Sequence, residues 1–316
     1  MLYLVTGSAG FLGSHLSRTL VDNGHDVIGV DDLSTGNVDN VNGLLDTGKY
    51  ILIRGDICDM NTLLEMPGEL DGIFNFACPA SPIQYQNMPI KTLMTSVVGV
   101  KNLLDLSLMY KCRILQSSTS EVYGSPDISP QNESYVGHVN CYGPRACYDE
   151  GKRAAEALLY DYKRIANVDT RIIRIFNTYG PNMSVDDGRV VSNFIVQALR
   201  GDDITIYGDG QQSRSFCYVD DLIRGIIMFF EQDDIAGPMN LGNPGEFTML
   251  ELAKKVIEIT KSSSRITYAR LPQDDPKQRR PDITLAKSMG WEPKIALDEG
   301  LRNAVQYFQS RLNNGG

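Results

Sequence analysis

The amino-acid sequence predicts an α/β protein, built on a doubly wound parallel sheet with a smaller lobe supplied by the C-terminal part. In the first two thirds of the chain, short and continuously apolar segments alternate with longer segments of helical periodicity. After about Tyr179 this alternation loosens, and loops rich in Gly, Asp and Arg separate shorter elements. Strands that are apolar along their whole length are typical of a parallel sheet covered by helices on both faces.

The individual elements follow from composition and period. Buried strands are predicted at Leu2–Thr6, Asp26–Asp31, Tyr50–Arg54, Gly72–Phe76, Cys112–Ser117 and Thr170–Ile175. The clearest helices between them are Phe11–Asn23, Pro89–Met109 and Tyr148–Ile165. Farther on, helices are predicted at Val191–Leu199, Val219–Glu231, Met249–Lys261 and Leu297–Gln309, with loops at Gly180–Gly188, Gly208–Ser215 and Gln273–Asp282. We expect one domain over residues 1–178 and a lobe mainly over 179–316, with some segments returning to the first domain.

The bulk composition narrows the class of protein. The chain has 316 residues, 42% of them hydrophobic and 22% charged, as is typical of a globular protein. A formal net charge of -9 without a basic stripe argues against nucleic acid and anionic membranes as partners. The six cysteines form no Cys-x-x-Cys pair, and the three histidines have no ligand spacing, so we expect free thiols and no metal site. Without an apolar run of about 20 residues or a leader pattern, a cytoplasmic protein is expected.

A glycine-rich segment joins the first strand to the first helix. Its sequence is Gly7-Ser-Ala-Gly10-Phe11-Leu12-Gly13, and these three glycines with Phe11 and Leu12 are the expected cofactor contacts. Such glycines permit a tight turn and a close approach to a pyrophosphate, which the N–H groups of the helix N-terminus can bind. The spacing is G-x-x-G-x-x-G rather than G-x-G-x-x-G, and the alternative is a helix-capping turn without a ligand.

Acidic residues after the next two strands complete the predicted cofactor site. Asp31 ends the second strand 18 residues after Gly13, where a carboxylate accepts hydrogen bonds from ribose hydroxyls and repels a 2′-phosphate. This favours NAD over NADP. Asp56 and Ile57 follow the third strand and are expected to border the adenine, although a plain turn or helix cap explains Asp56 equally well.

A Tyr-x-x-x-Lys pair is the candidate catalytic centre. Tyr148 and Lys152 lie four residues apart in a helical segment and therefore share a face. An adjacent ammonium is expected to lower the pKa of the phenol, which would let Tyr148 act as a general base. Thr119 and Glu121, at the end of the fifth strand, could reach the same substrate. The alternative for the pair alone is a surface contact on an amphipathic helix.

Longer segments carry a resemblance to a known family. They are Gly7–Gly13, Pro79-Ala-Ser-Pro82 with Tyr85, Thr119-Ser-Glu-Val-Tyr-Gly124, Gly143-Pro-Arg-Ala-Cys-Tyr-Asp-Glu-Gly-Lys152, Arg174-Ile-Phe-Asn-Thr-Tyr-Gly-Pro181, Asp187-Gly-Arg-Val-Val-Ser-Asn-Phe194, Gln212-Ser-Arg-Ser-Phe-Cys-Tyr-Val219 and Asp274-Asp-Pro-Lys-Gln-Arg-Arg-Pro-Asp-Ile283. On these segments the chain resembles the extended short-chain dehydrogenase/reductase family, and within it the UDP-glucuronate decarboxylase branch.

The resemblance implies roles for particular residues. Thr119, Tyr148 and Lys152 match the family's catalytic set, Ser120 and Glu121 match an additional active-site pair, and Arg279 matches an arginine that contacts the substrate's carboxylate end. The positions that line the nucleotide sugar are Tyr85, Asn177, Val190 and Arg214. Dehydratase relatives carry an Asp where this chain has Ser120, so the acid that expels a hydroxyl is missing. For Arg279 with Arg280, and for Arg214, the alternative is a solvated basic patch.

The implied reaction is decarboxylation of UDP-glucuronate to UDP-xylose through a UDP-4-keto intermediate, with transient reduction of bound NAD. A homodimer is also implied, because the helices at Pro89–Met109 and Tyr148–Ile165 often pair across a two-fold axis in this family. The alternatives on the same scaffold are a UDP-hexose 4-epimerase and a UDP-apiose/xylose synthase. A non-catalytic NAD-binding regulator would have no reason to keep Thr119, Tyr148 and Lys152 together.

Overall fold

The computed structural model describes residues 1–233, 237–270 and 278–313. Its strands are β1 (Leu2–Thr6), β2 (Asp26–Asp31), β3 (Tyr50–Arg54), β4 (Gly72–Asn75), β5 (Arg113–Thr119), β6 (Thr170–Ile175), β7 (Thr178–Tyr179), β8 (Ile204–Tyr207), β9 (Ser213–Ser215), β10 (Cys217–Tyr218), β11 (Pro238–Leu241), β12 (Glu246–Thr248), β13 (Ile266–Ala269) and β14 (Gln278–Arg279).

The helices of the same residues are α1 (Phe11–Asp22), α2 (Asn42–Leu45), α3 (Met60–Leu64), α4 (Pro82–Asn87), α5 (Pro89–Met94), α6 (Val100–Tyr110), α7 (Ala146–Ala166), α8 (Val190–Arg200), α9 (Val219–Glu231), α10 (Met249–Thr260), α11 (Thr284–Ser288) and α12 (Leu297–Asn313). Single 3-10 turns occupy Val38–Asn40 and Ser120–Tyr123, and a π-helical turn occupies Thr95–Gly99. No helix within the described ranges combines the length and the apolarity needed to cross a bilayer.

Seven strands form the central sheet in the order β11-β6-β5-β4-β1-β2-β3. Every neighbouring pair is parallel. Strands such as β1 and β4 are buried almost along their whole length, because helices cover both faces of the sheet. The predicted fold class is confirmed: the architecture is a doubly wound α/β sheet.

The sixth predicted strand is not the last one in this sheet. Pro238–Leu241 adds a seventh strand that pairs with Ile172–Ile175 of β6. Sequence reasoning missed it because four residues that begin with proline and include Asn240 carry little apolar signal. The segment nevertheless belongs in the core, since Met239, Asn240 and Leu241 are all fully buried.

Two boundaries differ from the prediction in ways that affect the site. The fifth strand ends at Thr119 rather than Ser117, so Thr119 lies on the strand and not in the loop after it. The helix predicted over Pro89–Met109 comprises α5, the π turn and α6 in succession. Ile57 packs closely against the π turn at Gly99. A Cβ added to Gly99 would lie 2.5 Å from the Cδ1 atom of Ile57.

The C-terminal part of the chain contributes both to the helices beside the main sheet and to the smaller lobe. Helix α9 packs against α1, beside the main sheet, whereas α8, α10 and α12 contact one another and, through α8 and α10, the short strand β8. The indole N–H of Trp291 donates to the carbonyl of Asp221 at 2.9 Å, and the carboxylate of Asp221 accepts from the N–H groups of Lys294 and Ile295 at 2.8 Å. These buried contacts join α9 to the segment before α12. The loop predicted at Gln273–Asp282 lies outside the described residues up to position 277.

Candidate active site

A cavity of about 1090 Å³ opens beyond the carboxyl ends of the central strands. Both the sheet and the C-terminal lobe contribute to its wall. The cavity brings together the residues predicted as site residues from the sequence: Gly7, Gly10, Phe11, Leu12, Gly13, Asp31, Asp56, Ile57, Tyr85, Thr119, Ser120, Glu121, Tyr148, Lys152, Asn177, Val190, Arg214 and Arg279.

The glycine-rich loop requires glycine for geometric reasons. Gly7 has a φ of +66°, and a Cβ there would lie 2.7 Å from the backbone of Phe76. A Cβ on Gly13 would overlap the carbonyl oxygen of Gly7. The loop therefore packs tightly against the first turn of α1, whose free N–H groups lie at the cavity and can bind a pyrophosphate.

Asp31 lies at the end of β2 with only 7% of its surface exposed. Its Oδ2 accepts from the N–H of Ala9 at 3.0 Å, and its Oδ1 accepts from the N–H of Leu33 at 2.8 Å. Burial raises the pKa of Asp31, although the hydrogen bonds from Leu33 and Ala9 act to lower it. Each oxygen keeps a lone pair, so the carboxylate can accept from a pair of vicinal hydroxyls in the cavity.

Asp56 and Ile57 also line the cavity. The Oδ1 of Asp56 accepts from the N–H of Cys58 at 2.9 Å, which is the turn contact that the plainer interpretation of this residue implied. Asp56 lines the cavity at the same time, so a turn role and a binding role are compatible. Sequence reasoning overlooked the neighbouring ion pair between Asp32 and Lys91, both of which line the cavity. Its only sequence signal was a second aspartate directly after Asp31.

Tyr148 and Lys152 occupy the first two turns of α7 and are 7% and 4% exposed. The Nζ of Lys152 donates to the carbonyl of Ser117 at 2.8 Å and lies 5.7 Å from the centre of the Tyr148 ring. The ring of Tyr85 stacks on that of Tyr148, with centres 5.1 Å apart and planes 9° apart. The alternative of a surface pair is therefore wrong, since both side chains are buried at the cavity.

The electrostatics of the pair differ from the expectation. The adjacent ammonium was expected to lower the pKa of Tyr148, but burial raises it. The charge of Cys78 adds to the rise in pKa, and a hydrogen bond with Thr119 opposes it. Burial also lowers the pKa of Lys152. Desolvation sets the direction of both pKa shifts, because the charged form of each group loses water that the neighbouring groups do not replace. The protein by itself thus holds Tyr148 protonated, and a further positive charge is needed to favour the phenolate.

The end of β5 presents three consecutive polar side chains to the cavity. Thr119 is the last strand residue and caps the 3-10 turn, its Oγ1 accepting from the N–H of Glu121 at 3.2 Å. Ser120 and Glu121 begin that turn. A strand that passes directly into a tight turn therefore sets the directions of all three side chains.

Arg279 meets this turn from the C-terminal lobe. Its Nη1 donates to the Oγ of Ser120 at 3.0 Å, and its Nη2 donates to the Oε2 of Glu121 at 2.9 Å. Arg279 is only 3% exposed, which excludes a solvated patch for this residue. The Arg280 side chain, in contrast, is 43% exposed and lies 3.5 Å from Glu246.

A second guanidinium, that of Arg145, binds the same carboxylate oxygen of Glu121. Burial acts to raise the pKa of Glu121, but the charges of Arg279 and Arg145 outweigh it and hold that pKa below its ordinary value. Glu121 is therefore an ionised carboxylate and not a proton donor in its own right. Sequence reasoning quoted Arg145 within a longer motif but assigned it no role. Its position three residues before Tyr148 was the available signal.

Asp149 adds a second carboxylate to this charge cluster, which consists of Glu121, Arg145, Asp149 and Arg279. It is 7% exposed, and its Oδ2 lies 3.9 Å from the Nε of Arg145. Burial and the negative charge of Glu121 raise the pKa of Asp149 to about 7, despite the opposing charges of Arg145 and Arg279. Asp149 is thus a buried carboxyl group that titrates close to neutrality.

The rest of the cavity wall is supplied by Asn177, after β6, and by the C-terminal lobe. Asn177 donates from Nδ2 to the carbonyl of Ser215 at 3.4 Å, Val190 is the first residue of α8, and Arg214 lies in β9 in register with Arg279 of β14. Arg189, directly before α8, forms a bidentate pair with Asp187 and also lines the cavity. Sequence reasoning included Arg189 in a motif without giving it a role.

Comparisons with known proteins agree with this geometry. A family model described as GDP-mannose 4,6 dehydratase matches residues 4–304. The chain is 51% identical to UDP-glucuronic acid decarboxylase 5 of Arabidopsis thaliana, over 99% of this chain and 90% of the relative. It is 47% identical to UDP-glucuronic acid decarboxylase 1 of Danio rerio, over 98% of this chain and 73% of the relative.

Two solved structures superpose on nearly the whole chain. UDP-glucose 4-epimerase of Thermotoga maritima with UDP-glucose superposes with a TM-score of 0.91 at 31% identity, covering 99% of this chain and 100% of the other. UDP-glucuronic acid 4-epimerase of Bacillus cereus, in complex with UDP-glucuronic acid and NAD, has a TM-score of 0.89 at 27% identity, covering 98% and 100%.

The raised pKa of Asp149 predicts a pH-dependent stability. Between the ordinary Asp pKa of about 4 and the folded value of about 7, the folded protein holds a proton that the unfolded chain releases. Stability therefore falls as pH rises through this window. Asp149→Asn should remove this loss, so the free energy of unfolding of the variant relative to the parent should increase between pH 5 and pH 8 by an amount on the order of a few kcal/mol.

Urea unfolding at several pH values measures this difference. Glu150→Gln is the matched control, since Glu150 is the next residue of α7 but is partly exposed and lies 3.6 Å from Arg153. A difference between Asp149→Asn and the parent protein that stays constant from pH 5 to pH 8 would contradict the assignment.

Proposed function

Because the chain belongs to the UDP-glucuronic acid decarboxylase family, within the group that the GDP-mannose 4,6 dehydratase model describes, we propose that it decarboxylates UDP-glucuronate to UDP-xylose through a UDP-4-keto intermediate. One observation carries the proposal beyond family membership. The buried guanidinium of Arg279 lies in the same cavity as Tyr148 and Lys152, so a cation and a hydroxyl-binding pair can act on one sugar.

NAD is the cofactor that the residues fit. Gly7 and Gly13 let the loop pack tightly against its own backbone, the first-turn N–H groups of α1 at the cavity can bind a pyrophosphate, and Asp31 can hold the adenosine ribose. Asp56 and Ile57 would border the adenine, and Lys152 would contact the nicotinamide ribose. When bound, NAD would supply the hydride acceptor for C4 and the hydride that is returned there in the same turnover. We assign residues 1–178 to the NAD-binding domain and residues 179–316 mainly to the nucleotide-sugar lobe, apart from the returning strand β11.

Tyr148 is the base that takes the proton of the C4 hydroxyl. Its own environment keeps it protonated at rest, so proton transfer depends on positive charge from Lys152 and from the oxidised cofactor. The hydrogen bond between Thr119 and Tyr148 places a second hydroxyl at the same substrate oxygen. Oxidation at C4 makes the substrate a β-keto acid, which loses CO₂ to leave an enolate that needs one proton at C5.

Arg279 would hold the carboxylate that is lost. Its two terminal nitrogens already contact Ser120 and Glu121, so the substrate's carboxylate shares this guanidinium with Glu121. The ionised Glu121 beside it disfavours a second negative charge, which favours departure as neutral CO₂. Ser120 cannot act as the acid that a dehydratase needs. Tyr85, Asn177, Val190 and Arg214 would line the remainder of the nucleotide sugar.

Product analysis tests the proposed reaction directly. Purified protein incubated with UDP-glucuronate should form UDP-xylose and CO₂ in equal amounts, without lasting accumulation of reduced cofactor, as followed by NMR. Tyr148→Phe is the control and should lose about 10² to 10⁴ in turnover because it removes the base, while it still binds UDP-glucuronate. Formation of UDP-galacturonate without CO₂ would identify an epimerase instead, and UDP-apiose beside UDP-xylose would identify an apiose/xylose synthase.

Replacing Arg279 tests the carboxylate anchor. Arg279→Gln should lower kcat/KM for UDP-glucuronate by about 10- to 100-fold, because a charged hydrogen bond to the carboxylate is worth roughly 1.5–3 kcal/mol. Binding of UDP-xylose, which has no carboxylate, should change much less, as measured by calorimetry. Arg280→Gln is the matched control at the neighbouring, more exposed position. Equal losses for the two ligands would show that Arg279 supports the lobe rather than the carboxylate.

We also propose that the protein forms a homodimer through α5 and α7. These helices pack against each other and together expose Ile90, Leu93, Met94 and Tyr160. Large exposed apolar side chains on two helices that pack together are typical of an interface. Met94→Glu should convert a particle of twice the 35.0 kDa chain mass into a monomer in sedimentation velocity, whereas Leu45→Glu on α2 should not. A wild-type protein that sediments as a monomer at micromolar concentration would contradict the dimer.

A further inference from the structure

Asp149 is a buried carboxyl group for which the proposed reaction has no role. It lies one residue after Tyr148 on α7, but it is not among the residues that line the cavity. Its Oδ2 lies 3.9 Å from the Nε of Arg145, while its Oδ1 is buried and has no hydrogen-bond partner among the described residues. A carboxylate oxygen in that position is costly when charged, because neither water nor a donor compensates for burial.

The groups that face Asp149 come from several elements. Glu121 belongs to the turn after β5, Arg279 to β14, and Arg145 and Glu150 to the start of α7. Tyr85 of α4 and Cys147 of α7 are also within electrostatic range. Arg145 is the link between the two acids, since its Nη2 binds Glu121 while its Nε faces Asp149.

The charges of the cluster balance only while the substrate's carboxylate is absent. With every member ionised, Arg145 and Arg279 offset Glu121 and Asp149. A carboxylate bound at Arg279 would bring a third negative charge to two guanidiniums in a buried place. Protonation of Asp149 restores the balance, because Arg145 and Arg279 then face one charge from Glu121 and one from the ligand.

We propose that Asp149 takes up a proton from solvent when a nucleotide sugar with a carboxylate binds, and so leaves both guanidiniums available to Glu121 and the ligand. This inference rests on the proposed function, because it needs UDP-glucuronate as the ligand. Asp149 acts through Arg145 and does not touch the sugar, so it is a positioning residue. The uptake is at most one proton per bound carboxylate; it forms an O–H bond on Asp149 and breaks no bond of the ligand.

Binding calorimetry measures this proton directly. UDP-glucuronate is titrated into the NAD-loaded Tyr148→Phe protein, whose turnover is about 10²- to 10⁴-fold slower, in phosphate and in Tris at one pH. The difference in binding enthalpy between the buffers gives the number of protons taken up. At pH 7 about half a proton is expected, since Asp149 is then about half protonated before binding, and the number should rise towards one at pH 8. UDP-xylose should cause no uptake.

Two variants in the same Tyr148→Phe background assign the proton. Asp149→Asn should abolish the uptake, and the affinity for UDP-glucuronate should no longer weaken between pH 7 and pH 8. Glu150→Gln removes only the smallest of the charges that act on Asp149 and should retain both the uptake and the pH dependence of affinity. A merely structural role for Asp149 would lower affinity at all pH values without changing the proton count.

The outcomes separate this inference from the proposed function. If the unmodified protein decarboxylates UDP-glucuronate but the proton uptake survives in Asp149→Asn, the inference is overturned and the function stands. If Asp149→Asn does not fold, equal uptake for UDP-glucuronate and UDP-xylose in the Tyr148→Phe protein overturns the inference. If UDP-glucuronate neither binds nor reacts, both are overturned.

Discussion

The buried contact of Arg279 with Ser120 and Glu121 is the interaction on which the site depends. It joins the turn at the end of β5 to β14 in the C-terminal lobe, and Arg145 joins the start of α7 to the same carboxylate. Three segments distant in sequence thus meet at one carboxylate. Loss of the Glu121 carboxylate would leave the buried guanidinium of Arg279 without its charged partner, a cost of about 3–5 kcal/mol, so this contact constrains the lobe as well as the chemistry.

A buried network holds Arg279 in that position. Gln131, which is fully buried, donates from its N–H to the carbonyl of Arg280 at 2.9 Å and accepts from the N–H of Arg280 through Oε1 at 3.0 Å. The amide of Asn240 on β11 donates to the carbonyls of Gln131 and Asp282. The segment after Arg279 is therefore bound to the core by backbone hydrogen bonds. The strand that sequence reasoning missed is part of this support.

The cavity has two electrostatic regions that burial affects differently. Tyr148 and Lys152 lie where desolvation dominates, so burial raises the pKa of the phenol and lowers that of the ammonium. Glu121 lies between two guanidiniums and remains ionised in spite of burial. The first region can transfer a proton once a positive charge arrives, and the second holds charge steadily. This division suits a reaction in which a hydroxyl proton leaves at one carbon and a carboxylate leaves from the adjacent carbon.

The sequence by itself determined the fold class, the glycine loop and Asp31, and the pairing of Tyr148 with Lys152. These features depend on local spacing: a glycine turn, a strand end and one turn of helix are each encoded within a few residues. Strand β11, the meeting of Arg145 and Asp149 with Glu121 and Arg279, and the burial of Arg279 were decided only by the tertiary structure. Each of them depends on contacts between segments up to about 160 residues apart, and the direction of a pKa shift depends on desolvation, which local spacing does not record.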